Sequence, residues 1–450
     1  MKTLEVFGGC SLTGTVKVSG AKNSATKLLV ASLLSDQKCV LRNIPDIGDV
    51  RFTVELCREV GAKIKWDKQA QVIEIHTPKI ATTSISSCFS KVNRIPVLLI
   101  GALLSRTRQQ VVVPIVGGDA IGERTVNFHL EGLKCLGAEA FLDKRGYCAH
   151  AKDGLIGAHI ELPYPSVGAT ENLIFAAVRA SGRTLIKNAA LEAEIIDLIM
   201  FFQKMGVTIT TDNDRTIEIF GSQSFNEVDH TVIPDKIEAA SFGMSAVVTD
   251  GRIFVQGARH SDMLPFLNGL REIGGGFIVK DDGIEFFRER ALKGGVVVET
   301  DVHPGFLTDW QQPFAVLLTQ AKGSSVIHET VHENRLKYLS GLRAMGADCE
   351  LFYQCLSSKD CRYKAGNYPH SAVIRGVTPL QAAEVCIPDL RAGFAYVMAA
   401  LIAEGEKSVI RGAELLDRGY NKLVTNLESL GAKIRVSKNL TNKTQEYAFC

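Results

Sequence analysis

Six basic residues, Lys22, Arg94, Arg124, Arg335, Arg391 and Arg418, fall at or near the starts of segments patterned as helices. A helix N-terminus already carries partial positive charge, so each cation there costs a few tenths to about 1 kcal/mol. An anionic ligand would resolve the conflict, because helix N-termini and guanidinium forks both bind phosphate and carboxylate. The competing reading pairs each cation with a nearby acid, Glu123, Glu333, Asp389 or Asp417. That reading is better for any single arginine. For six in corresponding places, the anion site is favoured.

Acids stand in comparable places. Asp235, Asp309 and Asp389 open the three most apolar helical segments of the second half. Aspartate caps helices well, so capping is expected for at least one of them. An acid at a helix start facing a cleft can also act as a general base. Spacing alone does not select Asp309. Asp119 lies in "PIVGGDAIGERTV", among Gly117, Gly118 and Gly122, in a mobile or tightly turned loop. It is either a polar turn residue or a catalytic acid on a lid. "HETVH", His328 to His332, matches the H-E-x-x-H pattern of zinc proteases, which requires both histidines on one helical face. Here it follows "GSSVI" in a strand-and-turn position and reads as chance. "GGDAIG" lacks the Gly-Lys-Ser/Thr of a phosphate loop and is no convincing dinucleotide fingerprint.

The elements that position these residues repeat. "REVGAKIKW", "KCLGAEAFL", "QKMGVTITT", "REIGGGFIV", "RAMGADCEL" and "ESLGAKIRV" each end an amphipathic run with glycine, at 61, 137, 206, 274, 346 and 431. Glycine suits a helix C-terminal cap, and a strand pattern follows each time. Upstream of each phrase comes an apolar helix, then a β-branched strand, then an amphipathic helix. The chain is therefore six α/β units, each with one buried and one outer helix. Six units exceed a single core, so three plus three is the natural division. The expected domains are 22–233 and 1–21 plus 234–450, with the opening strand pairing in the second. The stretch Phe352 to His370 reads as an inserted loop, and a polar tail starts at Ser437.

Composition suits a soluble globular protein with sizeable cores. The chain has 450 residues, 46% hydrophobic, with a net charge of +2, which gives no reason to expect a nucleic-acid or membrane partner. No apolar run approaches a bilayer span, and the N-terminus lacks a secretory pattern. Eleven cysteines without a C-x-x-C pair read as free thiols of a reducing cytoplasm, with neither disulfide framework nor zinc cage. No metal or cofactor is expected.

"SGAKNSA", "GGDAIGER", "FLTDWQQP", "ETVHENR", "PDLRAG" and "DRGYNKL", in this order, resemble the UDP-N-acetylglucosamine 1-carboxyvinyltransferase family over nearly the whole chain. The resemblance implies a fold of two inside-out α/β barrel domains, each of three repeated units with buried helices. It also implies transfer of the enolpyruvyl group of phosphoenolpyruvate to the 3-hydroxyl of UDP-N-acetylglucosamine, the first committed step of peptidoglycan synthesis. Phosphate would leave after addition and elimination through a tetrahedral ketal. By motif, Lys22 and Asn23 hold phosphoenolpyruvate, and Arg124, Arg335, Arg391 and Arg418 surround its anionic groups. Arg94, the stretch Arg124 to Phe128 with Asn127, Asp309, Val331 and Asp389 contact substrate. Asp309 is the implied general base. The position of Asp119 is a cysteine in most members, the loop acid that fosfomycin alkylates, and aspartate in some. Aspartate can still donate a proton but is a weak nucleophile, so resistance to fosfomycin is implied. Gly48, Leu98 and Asn127 stand where the resemblance implies lysine, tryptophan and aspartate. The alternatives are an enolpyruvyl transferase with another acceptor, or a non-catalytic nucleotide-sugar-binding paralogue.

Overall fold

The computed structural model describes residues 2–119, 121–122, 125–357 and 361–438. They divide into two compact units. One consists of Gly20–Gly118 and Thr125–Ile233, the other of the described parts of Met1–Ser19, Asp119–Arg124 and Pro234–Gln445.

The first unit contains helices α1 (Lys22–Ala31), α2 (Gly48–Val60), α3 (Leu99–Leu104), α4 (Asn127–Cys135), α5 (Val167–Ala177) and α6 (Ala193–Lys204). The second contains α7 (Lys236–Val248), α8 (Leu264–Ile273), α9 (Gln311–Thr319), α10 (Leu339–Ala344), α11 (Leu390–Ile402) and α12 (Leu423–Ser429). The odd-numbered helices are the apolar ones. Every residue of α7 is buried, as is α11 from Leu390 to Leu401. A helix without a polar stripe cannot face water, so sheets must cover it on several sides.

Each unit supplies three sheets for this purpose. In the second unit all three share one plan: an antiparallel three-stranded core joined by one parallel strand. Strand Gly323–His328 illustrates it, pairing antiparallel with Ser371–Gly376 and parallel with Val297–Glu299. In two of these sheets the parallel strand leads into a buried helix of the same unit. The crossover from Val297–Glu299 through α9 to Gly323–His328 is a βαβ unit. The opening strand Lys2–Phe7 pairs with Ser408–Arg411 and Lys433–Lys438, and Thr13–Lys17 pairs with Arg252–Gln256. Buried helices inside a ring of sheets are the inside-out α/β arrangement, repeated in both units.

The even-numbered helices lie outside, and most end at glycine as the pattern implied. Gly61, Gly137, Gly206, Gly274, Gly346 and Gly431 all have positive φ, between 88° and 111°. Only glycine takes this left-handed conformation without a steric penalty, which explains why the phrase repeats.

Two local readings need correction. The tail does not begin at Ser437, because Ser437 and Lys438 still pair with Thr3 and Lys2. Arg418 does not start a helix. It closes the 3-10 turn Ala413–Arg418, ahead of α12. The excursion after Phe352 does fall between two strands, Asp348–Phe352 and Ser371–Gly376.

Candidate functional site

In the second unit the sequence-selected acids and cations form two linked ion-pair groups. The carboxylate of Asp309 lies between two guanidiniums. Arg335 Nη2 is 2.6 Å from Oδ1, and Arg391 Nε is 3.0 Å from Oδ2. Arg418 Nη1 is 2.8 Å from Asp119 Oδ1. All three arginines are buried, at 3%, 3% and 9% exposure. Burying a cation costs several kcal/mol unless opposite charge compensates it. Burial pushes down the pKa values of Arg335 and Arg391, but their partners outweigh it and both end above the usual value. For Arg391 these are Tyr420, Asp309 and Asp235, and for Arg335 they are Asp309, Asp389, Glu329 and Asp119. The arginines therefore stay charged.

These acids satisfy part of the donor set and leave part open. Among the described residues, Arg391 Nη1 is buried without a hydrogen-bond partner. Its guanidinium also lies 5.3 Å from the centre of the Tyr420 ring, a cation–π contact that fixes its plane. Turned so that its oxygen faces Arg335, the Gln312 amide accepts from that guanidinium. Neighbouring guanidiniums and an orphan donor are suited to a multivalent anion such as phosphate. An arriving anion would compete with Asp309 and Asp119 for the same forks.

The pairing of each arginine with its sequence neighbour fails at Arg418. Asp417 pairs with Lys2, at 2.7 Å, while Arg418 reaches back to Asp119. Asp389 is an N-cap: its Oδ1 accepts from the backbone N–H groups of Arg391 and Ala392 at 2.9 and 3.1 Å. Asp235 caps α7 in the same way. Asp309 precedes α9, whose N-cap is Trp310, and its side chain serves the arginines. Two of the three helix-start acids are therefore caps, and Asp309 is the one turned to charge chemistry.

Glu329 is a residue that sequence reasoning missed. It is fully buried in the loop between Gly323–His328 and Arg335, and burial pushes its pKa up. One oxygen accepts from the N–H groups of Val331 and His332, both at 2.7 Å, and the other from Thr308, at 2.8 Å, and Gln311. Glu329 thus ties the loop carrying Val331 and Arg335 to the segment before α9 that carries Asp309. Glu329 stands inside "HETVH", but its partners Thr308 and Gln311 are 21 and 18 residues upstream, so no local spacing marks it. Strand Gly323–His328 ends at His328, so the motif is not helical.

The first unit holds the remaining candidates. Lys22 and Asn23 occupy the first turn of α1, and Lys22 Nζ is 3.0 Å from Asp49 Oδ2 at the start of α2. Arg94 precedes the 3-10 turn Ile95–Leu98, and burial pushes its pKa down. His129, in the first turn of α4, is held neutral with a pKa lowered to about 3 by burial and by Arg94. Asn127 is exposed at the start of α4 and Phe128 is half-buried beside it. Arg124 and Glu123 lie outside the described residues.

No helix among the described residues is long and apolar enough to cross a membrane. Residues 6–427 match the family EPSP synthase (3-phosphoshikimate 1-carboxyvinyltransferase). The chain is 72% identical to the UDP-N-acetylglucosamine 1-carboxyvinyltransferase of Chlamydia abortus, over 97% of this chain and 98% of the relative. It is 54% identical to the protein of the same name from Protochlamydia amoebophila, over 98% and 96%. Among solved structures, the enolpyruvyl transferase NikO from Streptomyces tendae superposes with a TM-score of 0.86 at 22% identity, covering 97% of this chain and 99% of that one. An EPSP synthase from Acinetobacter baumannii gives 0.73 at 18%, covering 97% and 100%, and these two likenesses carry the fold alone. The chain belongs to the EPSP synthase family, among relatives named UDP-N-acetylglucosamine 1-carboxyvinyltransferase.

Proposed function

We propose that the chain transfers the enolpyruvyl group of phosphoenolpyruvate to the 3-hydroxyl of UDP-N-acetylglucosamine, releasing inorganic phosphate. The observation that carries this reading is the Arg335–Asp309–Arg391 cluster, with its orphan Nη1 donor, in a chain 72% identical to an enzyme of that name. The reaction would serve peptidoglycan synthesis in the cytoplasm. The two-domain division at 22–233 and 1–21 plus 234–450 is part of the same proposal.

In the addition step, the sugar oxygen bonds to C2 of phosphoenolpyruvate and loses its proton, while C3 gains one. In the elimination step, C3 loses a proton and the C2–O bond to phosphate breaks. Asp309 is the base for the sugar hydroxyl. Arg335, Arg391, Arg418 and Arg124 hold the phosphate and carboxylate groups, with Lys22 and Asn23. Binding of these anions would free Asp309 and Asp119 from their arginines, and a carboxylate relieved of a cation becomes more basic. That change suits Asp309 to take a proton and Asp119 to carry and return one. Arg94, Asn127, Phe128 and Val331 contact the nucleotide sugar, and Asp389 is a further substrate-binding residue. Asp119 in place of a thiol is the reason to expect fosfomycin resistance.

Phosphate release on mixing the two substrates tests the reading directly. Release with UDP-N-acetylglucosamine and none with other acceptors supports it. Release only with another acceptor would replace the substrate. Binding of the nucleotide sugar without release would identify a non-catalytic paralogue.

A further inference from the structure

The described parts of the excursion, 353–357 and 361–370, bring three metal-ligating side chains up to a fourth, His328, at a strand end. His328, Cys355, Cys361 and His370 each offer one ligand atom, and all four atoms lie within 4.8 Å of one another. We propose that they form a tetrahedral Cys2His2 zinc site.

The strand register creates the grouping. His328 ends its strand opposite Ser371, so the chain returning from the excursion delivers His370 beside it. The two imidazole rings are 5.6 Å apart, and both histidines are fully buried. Cys355 Sγ lies 3.9 Å from Cys361 Sγ and 3.4 Å from His370 Nε2. Zinc bonds of about 2.3 Å to sulfur and 2.0–2.1 Å to nitrogen give tetrahedron edges of about 3.8 Å for S–S and 3.5 Å for S–N. The Cys355–Cys361 and Cys355–His370 pairs already stand at those separations, and the other ligand-atom pairs lie within 4.8 Å.

The surroundings select the correct atoms. His328 Nδ1 is 3.0 Å from Glu299 Oε2, and His370 Nδ1 is 2.8 Å from the carbonyl of Tyr368. Each histidine is thereby oriented through one nitrogen and left with Nε2 for a metal, as metal-binding histidines usually are. His328 Nε2 is buried with no hydrogen-bond partner among the described residues, which costs free energy that a metal bond would remove. Cys361 Sγ accepts the N–H of Tyr363 at 3.3 Å, which helps fix its position. A Cys355–Cys361 disulfide would account for the sulfurs but not for two imidazoles aimed at the same point. Thiolate with imidazole in four-fold array favours zinc over magnesium or calcium. The expectation that the cysteines form no zinc cage rested on the missing C-x-x-C spacing. The strand pairing supplies what the spacing lacks.

Such a site would brace the loop before Arg335. Tyr363 Oη and Arg362 Nη2, next to Cys361, both donate to the carbonyl of Val331, the former at 2.6 Å. Zinc would hold this pair in place from one side while Glu329 holds Val331 from the other. The metal's role is therefore structural.

The test uses the full-length chain, purified under reducing conditions with any affinity tag removed. Elemental analysis should find about one zinc per chain. Replacing zinc with Co2+ should give the strong visible absorption of a tetrahedral thiolate site. Cys361→Ser and His370→Ala should each lose the bound metal, while Cys386→Ser, at an exposed cysteine outside the cluster, should keep it. Glu299→Gln leaves all four ligands and should weaken zinc binding about 10–100-fold, which keeps the test informative if a ligand variant fails to fold. A reduced wild-type chain that takes up neither Zn2+ nor Co2+ overturns the proposal. So does weak octahedral cobalt absorption, or a Cys355–Cys361 disulfide in chain isolated with its thiols trapped.

Discussion

Asp119 and Arg418 lie 299 residues apart in sequence and are ion-paired, with Oδ1 and Nη1 separated by 2.8 Å. The loop acid thus rests on one of the arginines assigned to the substrate anion. Binding of that anion and release of the acid would then be one event.

Arg418→Lys should separate these roles. Lysine keeps the charge but lacks the fork that can hold a carboxylate and a phosphate oxygen together. KM for phosphoenolpyruvate should rise about tenfold or more, with a smaller change for UDP-N-acetylglucosamine. Steady-state kinetics with each substrate varied in turn is the measurement. Equal changes in both KM values would move Arg418 away from the anion.

Asp309→Ala should lower kcat by about 100- to 10,000-fold, the range for removing a general base. Calorimetry should still detect nucleotide-sugar binding. Asp309 also compensates Arg335 and Arg391, so melting of the variant must be measured alongside. Near wild-type turnover in a folded variant would remove the base assignment.

Glu238 predicts a pH dependence of stability. It is buried in α7, and its pKa is pushed up to about 8 by burial and by Asp235, against the pull of the Ser19 N–H and Arg391. A carboxyl with a raised folded pKa binds more protons in the native state than in the unfolded one. Stability from this group is therefore full below the unfolded value near 4.5 and lost as pH rises through about 8. Glu238→Gln keeps an oxygen for the Ser19 N–H and removes the ionisation. The urea midpoint of the variant should fall less than that of wild type between pH 6 and pH 9. Parallel curves would show that Glu238 does not titrate there.

Two cap glycines should differ in tolerance. A Cβ at Gly137 would meet only the Gly154 carbonyl, at 4.0 Å, so Gly137→Ala carries the left-handed backbone cost alone, about 1–2 kcal/mol. At Gly61 a Cβ would also press on Ala81 and the Lys79 carbonyl at 3.0 Å. Gly61→Ala should be clearly worse in denaturant melts, and equal losses would refute the contact argument.

These cap glycines were legible because the constraint is local: only glycine takes the required φ cheaply, and it recurs with the repeat. The buried helices were legible for a similar reason, since an apolar stretch such as Leu390 to Leu401 leaves no face for water. Asp309 was legible only by resemblance, because its value lies in two arginines 26 and 82 residues away. Arg418 was misplaced because a 3-10 turn and a helix start look alike in a short polar stretch. Glu329 and the His328–Cys355–Cys361–His370 cluster stayed hidden, since each depends on strand pairing that joins distant segments. No spacing rule reports that His328 faces Ser371.

The last prediction concerns fosfomycin. The wild-type chain should turn over in its presence without time-dependent inactivation. An epoxide needs a strong nucleophile, and the Asp119 carboxylate, engaged by Arg418, is a far weaker one than a thiolate. Asp119→Cys should restore covalent modification, because the unchanged arginines would still orient the phosphonate beside the new thiol. Asp119→Asn should stay resistant and lose activity, since an amide does not deliver a proton at the required stage. Intact-mass spectrometry after incubation with fosfomycin and UDP-N-acetylglucosamine reads the adduct, and phosphate release reads turnover. A stoichiometric adduct on the wild-type chain would refute resistance. Full activity in Asp119→Asn would refute the proton-carrying role and leave Asp119 as a partner that holds Arg418 until substrate arrives.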